Sequence, residues 1–79
     1  MARYHIHLDE QGEVLHDCDG ADFDDLDHAT KYAIAAGAEI IAESIRSGLR
    51  SVKLNMIVDD RISAVRRTIP MMGAVEPYA

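Results

Sequence analysis

One long segment with helical periodicity, flanked on both sides by alternating segments, is the feature that most constrains the fold of this chain. Apolar and small residues recur every three or four positions from Leu26 to Ser47, which predicts a helix of about six turns. Asp25 is placed as its N-cap, and Gly48 is placed to end it. The apolar stripe is small in its first half and includes Gly37, so we expect that half to pack closely on a sheet.

Shorter segments on both sides of this helix have the pattern of strands. In residues 3–8 and 52–58, apolar side chains at even-numbered positions alternate with mostly polar side chains at odd-numbered positions. This alternation is typical of half-buried strands. Residues 14–18 and 62–69 are predicted as their antiparallel partners, each joined by a turn. Pro70 has no N–H to donate, so we expect it to end the last strand.

The order of these segments predicts an α+β domain over residues 1–70. A four-stranded antiparallel sheet carries one helix on one face, in the order β-β-α-β-β, and the opposite face has no covering layer. Residues 71–79 have no periodicity and are expected to form a C-terminal tail with some mobility. A shift of one residue exchanges the two faces of a strand, so the pattern leaves open which side chains of the second and fourth strands face inward.

Length and composition exclude several classes of protein. With 79 residues, 48% of them hydrophobic and 28% charged, the chain is long enough for one small core, but not for a two-domain enzyme with an interdomain cleft. The formal net charge is −6, which opposes binding to nucleic acid or to a membrane surface. We expect no signal peptide or membrane span. Cys18 is the lone cysteine, which favours a reducing cytoplasm.

The charge is unevenly distributed along the chain. Nine carboxylates and Arg3 fall within residues 1–27, whereas residues 28–79 hold seven Lys and Arg with five carboxylates. The acidic half therefore precedes a slightly basic half, and contact between unlike halves of two copies is one arrangement this allows.

Three histidines form the group of side chains that best suits a metal site. His5 and His7 are two residues apart on one strand and share a face, and His16 lies on the neighbouring strand. Neutral imidazoles in this arrangement are able to bind a divalent transition metal such as Zn²⁺, Ni²⁺ or Cu²⁺. Solvated or interfacial histidines explain the same pattern without a ligand, and we favour that interpretation. No cofactor is therefore expected.

Motifs for catalysis are missing from the sequence. It has no glycine-rich phosphate loop, no G-x-S-x-G nucleophile elbow and no HExxH zinc motif. Cys18 lies among aspartates, whose negative charge disfavours a reactive thiolate. We therefore expect a protein that is not an enzyme.

The uncovered sheet face is the reason to expect a partner. Our hypothesis is a small cytoplasmic module that acts by association, as a homodimer or with a small protein partner, through the open face or an edge strand. The candidate interface residues are His5, His7, Ile57 and Val65. Metal binding through His5, His7 and His16 is the first alternative.

Three short motifs resemble those of a widespread family of short bacterial proteins of unknown function, common in rhizobia and related alphaproteobacteria. They are the start Arg3-Tyr4-x-x-His7-Leu8, the turn Asp17-x-x-Gly20, and the closing Ile69-Pro70. His5-Ile6 and Met71-Met72 stand where family members usually have aromatic residues, so an aromatic surface role is not carried over. The resemblance implies the same order of strands and helix and a bacterial cytoplasmic setting, and it implies no activity.

A second alternative is an antitoxin-like regulator. A hairpin, an acidic turn, a helix and a further strand are similar to the partial RNase H-like antitoxins of the HicB type. Those proteins usually have a third strand before the helix, which this sequence does not predict.

Overall fold

A computed structural model describes residues 1–77, and within them the chain forms five strands and one helix. The elements are β1 (Ala2–Glu10), β2 (Glu13–Leu15), β3 (Ala21–Phe23), α1 (Leu26–Arg46), β4 (Ser51–Asp60) and β5 (Val65–Ala74). The predicted α+β class, the helix and the antiparallel sheet are confirmed. The predicted number of four strands is wrong, because β3 is an additional strand.

The sheet is built around β1 and β4. Its order is β2-β1-β4-β5, and β3 also pairs with β1. β2 lies along Leu8–Glu10 and β3 along Ala2–Tyr4, so the two short strands share one edge of β1. Residues 16–20 form a loop between them, which interrupts the strand predicted over 14–18. Three-residue strands contain too little alternation to be recognised in a sequence.

The helix follows the sequence prediction closely. Asp25 caps it by accepting a hydrogen bond from the His28 N–H at 2.8 Å. It ends at Arg46, one residue before the predicted end. A Cβ added to Gly37 would lie 2.5 Å from the Met71 sulfur of β5, which confirms a packing reason for this glycine.

The core lies between α1 and one face of the sheet. Its buried residues are Tyr4, Phe23, Ala29, Ala33, Ile41, Val52, Leu54, Met56 and Val58. Ala29 and Ala33 have no exposed surface, so the first half of the helix approaches the sheet closely, as expected from its small side chains. No helix in residues 1–77 combines the length and hydropathy that a bilayer crossing requires.

The last strand is displaced from its predicted position. Residues 61–64 form a turn in which Ala64 has a φ of 57°, so β5 begins at Val65 instead of residue 62. It then continues to Ala74, so Pro70 does not end this strand as predicted. Proline is tolerated here because β5 is an edge strand. Residues 78 and 79 of the predicted tail lie outside the described residues.

Candidate interaction surface

The sheet face opposite α1, called the outer face here, carries both predicted strand histidines. In the register of β1 with β4, His5 lies opposite Asp59 and His7 lies opposite Ile57. Residues directly opposite each other share a face, so these four side chains form one group. His5, His7 and Ile57 are 6%, 5% and 5% exposed. The chain itself therefore buries a group that the sequence predicts as open surface.

Val65 does not belong to this group. It lies opposite Asp60, which shares a face with the core residue Val58. The prediction of one surface containing both Ile57 and Val65 is wrong for Val65, which is 40% exposed on the helix side. The register of the last strand, which the sequence left open, decides this placement.

Two hydrogen bonds fix the protonation of His7. Its Nδ1 accepts from the backbone N–H of Asp17 at 2.9 Å, and its Nε2 lies 2.9 Å from Asp59 Oδ2. Because a backbone N–H only donates, Nδ1 is the unprotonated nitrogen and Nε2–H donates to Asp59. The ring is thus a neutral bridge between β4 and the loop, with both nitrogens occupied. The other oxygen, Asp59 Oδ1, is buried and has no hydrogen-bond partner within residues 1–77.

Residues 16–20, called the Asp17 loop here, are held by the carboxylate of Asp17. It accepts hydrogen bonds from the N–H groups of Ile6 at 3.1 Å, Asp19 at 3.2 Å and Gly20 at 3.0 Å. The Asp17 carbonyl accepts from His5 Nδ1–H at 2.9 Å. The Asp17 carboxylate therefore provides the acceptor for a backbone N–H of β1 at a point between the pairings of β1 with β2 and with β3.

The hydrogen bonds also set the charge of Asp17. The bond from the Gly20 N–H, together with those from Ile6 and Asp19, lowers its pKa below the ordinary value of 3.8, and burial offsets part of this. A positive charge on His5 lowers the pKa further. Asp17 is therefore a stable anion at neutral pH.

An acid titration of stability tests this assignment. A carboxyl group whose pKa is lower in the folded state stabilises the fold above its unfolded pKa, and this contribution disappears as pH falls through the lower folded pKa. We expect the free energy of unfolding, measured with urea, to decrease from about pH 5 downward and to decrease less in Asp17→Asn. Parallel curves for the two proteins would contradict the role of this carboxylate.

The three predicted metal ligands do lie close together. The ring centroids of His7 and His16 are 5.3 Å apart, and those of His5 and His7 are 6.3 Å apart. Hydrogen bonds occupy both nitrogens of His7 and Nδ1 of His5. Across residues 1–77, no three His, Cys, Asp or Glu side chains are grouped in a way that could hold a metal ion. Metal binding by His5, His7 and His16 stays a prediction.

The edge of β5 is a candidate surface of which the sequence interpretation names only Val65. β5 pairs with β4 over ten residues, and no described strand pairs with its other edge. Residues 68–75 carry no charge, and Met72 is 67% exposed. In the structure the partly buried Ile69 and Met71 alternate with exposed neighbours past Pro70, but the sequence carries little sign of this because Met71 and Met72 are both apolar.

Comparison with known proteins gives one finding about family. The family model described as Domain of unknown function (DUF6894) matches residues 3–71, which is most of the chain. No curated protein and no solved structure matches the chain.

Proposed function

We propose that this chain is a small association module and not an enzyme. It belongs to the DUF6894 family of domains of unknown function. It binds a second copy or a small protein through the outer face or the free edge of β5. The observation that carries this proposal is the ten-residue strand β5, which has a strand partner on one side only among the described residues.

Edge strands present backbone donors and acceptors that another chain is able to pair with. Proteins that avoid such pairing place charges, prolines or short strands at the edge. In β5 the charges are confined to Arg66 and Arg67 at one end, and Pro70 is a single interruption. The long uncharged remainder, with Met72 exposed, favours association.

The outer face is a weaker candidate than the edge. His5, His7 and Ile57 are already buried by their own chain, so they offer little surface to a partner. Their hydrogen-bonded arrangement stabilises the β1 side of the sheet and leaves the β5 side for contact.

A bacterial cytoplasmic setting is part of the same proposal. It is supported by the exposed free thiol of Cys18, which suits a reducing compartment. The net charge of −6 supports a protein partner over a nucleic acid.

Charge introduced at the edge of β5 tests the proposal. We expect wild-type protein at high micromolar concentration to have twice the 8.7 kDa chain mass in size-exclusion chromatography with light scattering. Met72→Lys should restore the single-chain mass, because a lysine on an edge strand opposes its pairing with another chain. Leu15→Lys, at a position 71% exposed on β2, is the matched control and should still associate.

Two outcomes of this experiment would count against association through the edge of β5. A wild-type chain that remains monomeric at this concentration and recovers no partner in a pull-down would contradict the proposal. Loss of association in both Met72→Lys and Leu15→Lys would show that the edge of β5 is not the surface involved.

An antitoxin-like regulator of the HicB type is a second candidate. It is supported by β3 (Ala21–Phe23), a third strand before the helix that those antitoxins also have. Co-purification with a toxin encoded beside this protein would support it, and the absence of a complex on co-expression would count against it.

A further inference from the structure

Resting on the proposed function, we infer that the partner is a second copy of this chain. The two β5 strands pair antiparallel around a two-fold axis at Met71, which makes one continuous sheet with both helices on the same face. Isologous contacts of this kind are the commonest form of homodimer.

Charges at the two ends of the edge select this register. Arg66 precedes the uncharged residues and Glu76 follows them, and both are exposed. Within residues 1–77 neither forms an ion pair in its own chain, as the observed ion pairs involve other residues. Glu76 lies two residues past the end of β5 at Ala74. With Met71 on the axis and the strand extended by these two residues, Arg66 lies opposite Glu76 of the partner subunit. Two opposite-charge pairs then enclose the uncharged part of the edge.

Other registers do not pair these charges. The register of the two β5 strands changes only in steps that keep each side chain on its own face of the sheet. With the axis at Pro70 or at Met72, the position opposite Arg66 is two residues away from Glu76 of the partner subunit. The axis at Met71 is therefore the register that complementary charge favours.

One flank of α1 lies beside the edge of β5. Thr30 accepts a hydrogen bond from Arg67 of β5 at 3.2 Å. About three turns further along the helix, Ile41 lies so close to Gly73 that a Cβ added to this glycine would overlap the Ile41 Cγ2 methyl. These two contacts define the side of the helix that faces the free edge.

The same flank is apolar and uncovered between those contacts. Ile34 and Ala38 follow Thr30 at spacings of four residues, so they lie on the same side of the helix. Ile34 is 43% exposed and Ala38 is exposed. Pairing of the strands brings the two helices side by side, where these flanks bury each other's apolar surface.

Pro70 is compatible with this arrangement. It lacks one backbone donor, and in the proposed register it lies opposite Met72 of the partner subunit. Because of the two-fold symmetry the dimer lacks two hydrogen bonds, one from each subunit's position 70, while the other residues of the edge keep theirs.

Disulfide trapping tests both the partner and the register. In the proposed dimer Thr68 lies opposite Ala74 of the partner subunit, and both positions are exposed. With Cys18→Ser as background, we expect the double variant Thr68→Cys/Ala74→Cys to form a covalent dimer in oxidised glutathione. Within one chain the two positions are about 20 Å apart along the strand, so they do not bridge internally.

The single variants Thr68→Cys and Ala74→Cys are matched controls. In the proposed register each single cysteine lies about 20 Å from its copy in the other subunit, so neither should cross-link. A double variant that is dimeric by light scattering but does not cross-link would overturn this register and leave the proposed association intact. A wild-type monomer that binds a different protein would overturn the homodimer and keep the proposed function.

Discussion

His7→Phe is expected to lower the free energy of unfolding by about 2–4 kcal/mol. The substitution keeps an aromatic ring of similar size and removes both ring nitrogens. The N–H of Asp17 then loses its acceptor, and Asp59 loses its donor from His7. The other oxygen of Asp59 already has no partner among the described residues. Small domains are stable by about 5–15 kcal/mol, so this loss should be evident in urea unfolding followed by circular dichroism.

His16→Phe is the matched control for this variant. His16 contacts the His7 ring edge to face but is exposed, and exposed substitutions usually change stability by less than about 0.5 kcal/mol. If the two variants lost similar stability, the hydrogen bonds of His7 would not be what holds the Asp17 loop against β1.

Gly20→Ala is expected to destabilise the fold by about 2–4 kcal/mol. Gly20 has a φ of +72°, which L residues rarely adopt, and an added Cβ would lie 2.9 Å from the Tyr4 carbonyl oxygen. That oxygen belongs to the backbone of a central strand, so it has little freedom to move. The loop must shift instead, which weakens the hydrogen bond from the Gly20 N–H to Asp17.

Gly12→Ala separates the two causes of this effect. Gly12 has a φ of +86°, but an added Cβ there meets nothing within 4 Å. It should therefore show only the backbone cost, about 1–2 kcal/mol. Equal losses for both variants in urea unfolding would mean that the close approach to Tyr4 contributes nothing.

The elements predicted well from the sequence are those with long patterns. α1 and the strands β1 and β4 each contain enough periodic residues for the pattern to set their bounds within about two residues, as comparison with their observed ranges shows. β2 and β3 are three residues each, which is too short for alternation to be distinguished from a turn. Pro70 was misread because its missing donor ends a central strand but not an edge strand.

The candidate site was predictable in part. Alternation alone places His5 and His7 on the outer face, and the structure has them there. Their burial was not predictable, because it depends on the conformation of the Asp17 loop and on the register of Asp59. The free edge of β5 required knowing that the strand continues to Ala74.

Amide hydrogen exchange at two protein concentrations detects association through the edge of β5 at the backbone groups that would pair. Backbone groups paired between chains exchange slowly only when the dimer is populated. We predict that the amides within residues 68–74 that point away from β4 exchange more slowly at high than at low concentration. Those of β2 (Glu13–Leu15), on the other side of the sheet, should not change. Exchange of residues 68–74 that is the same at both concentrations, in a sample shown by light scattering to pass from monomer to dimer, would show that the dimer does not form through the edge of β5.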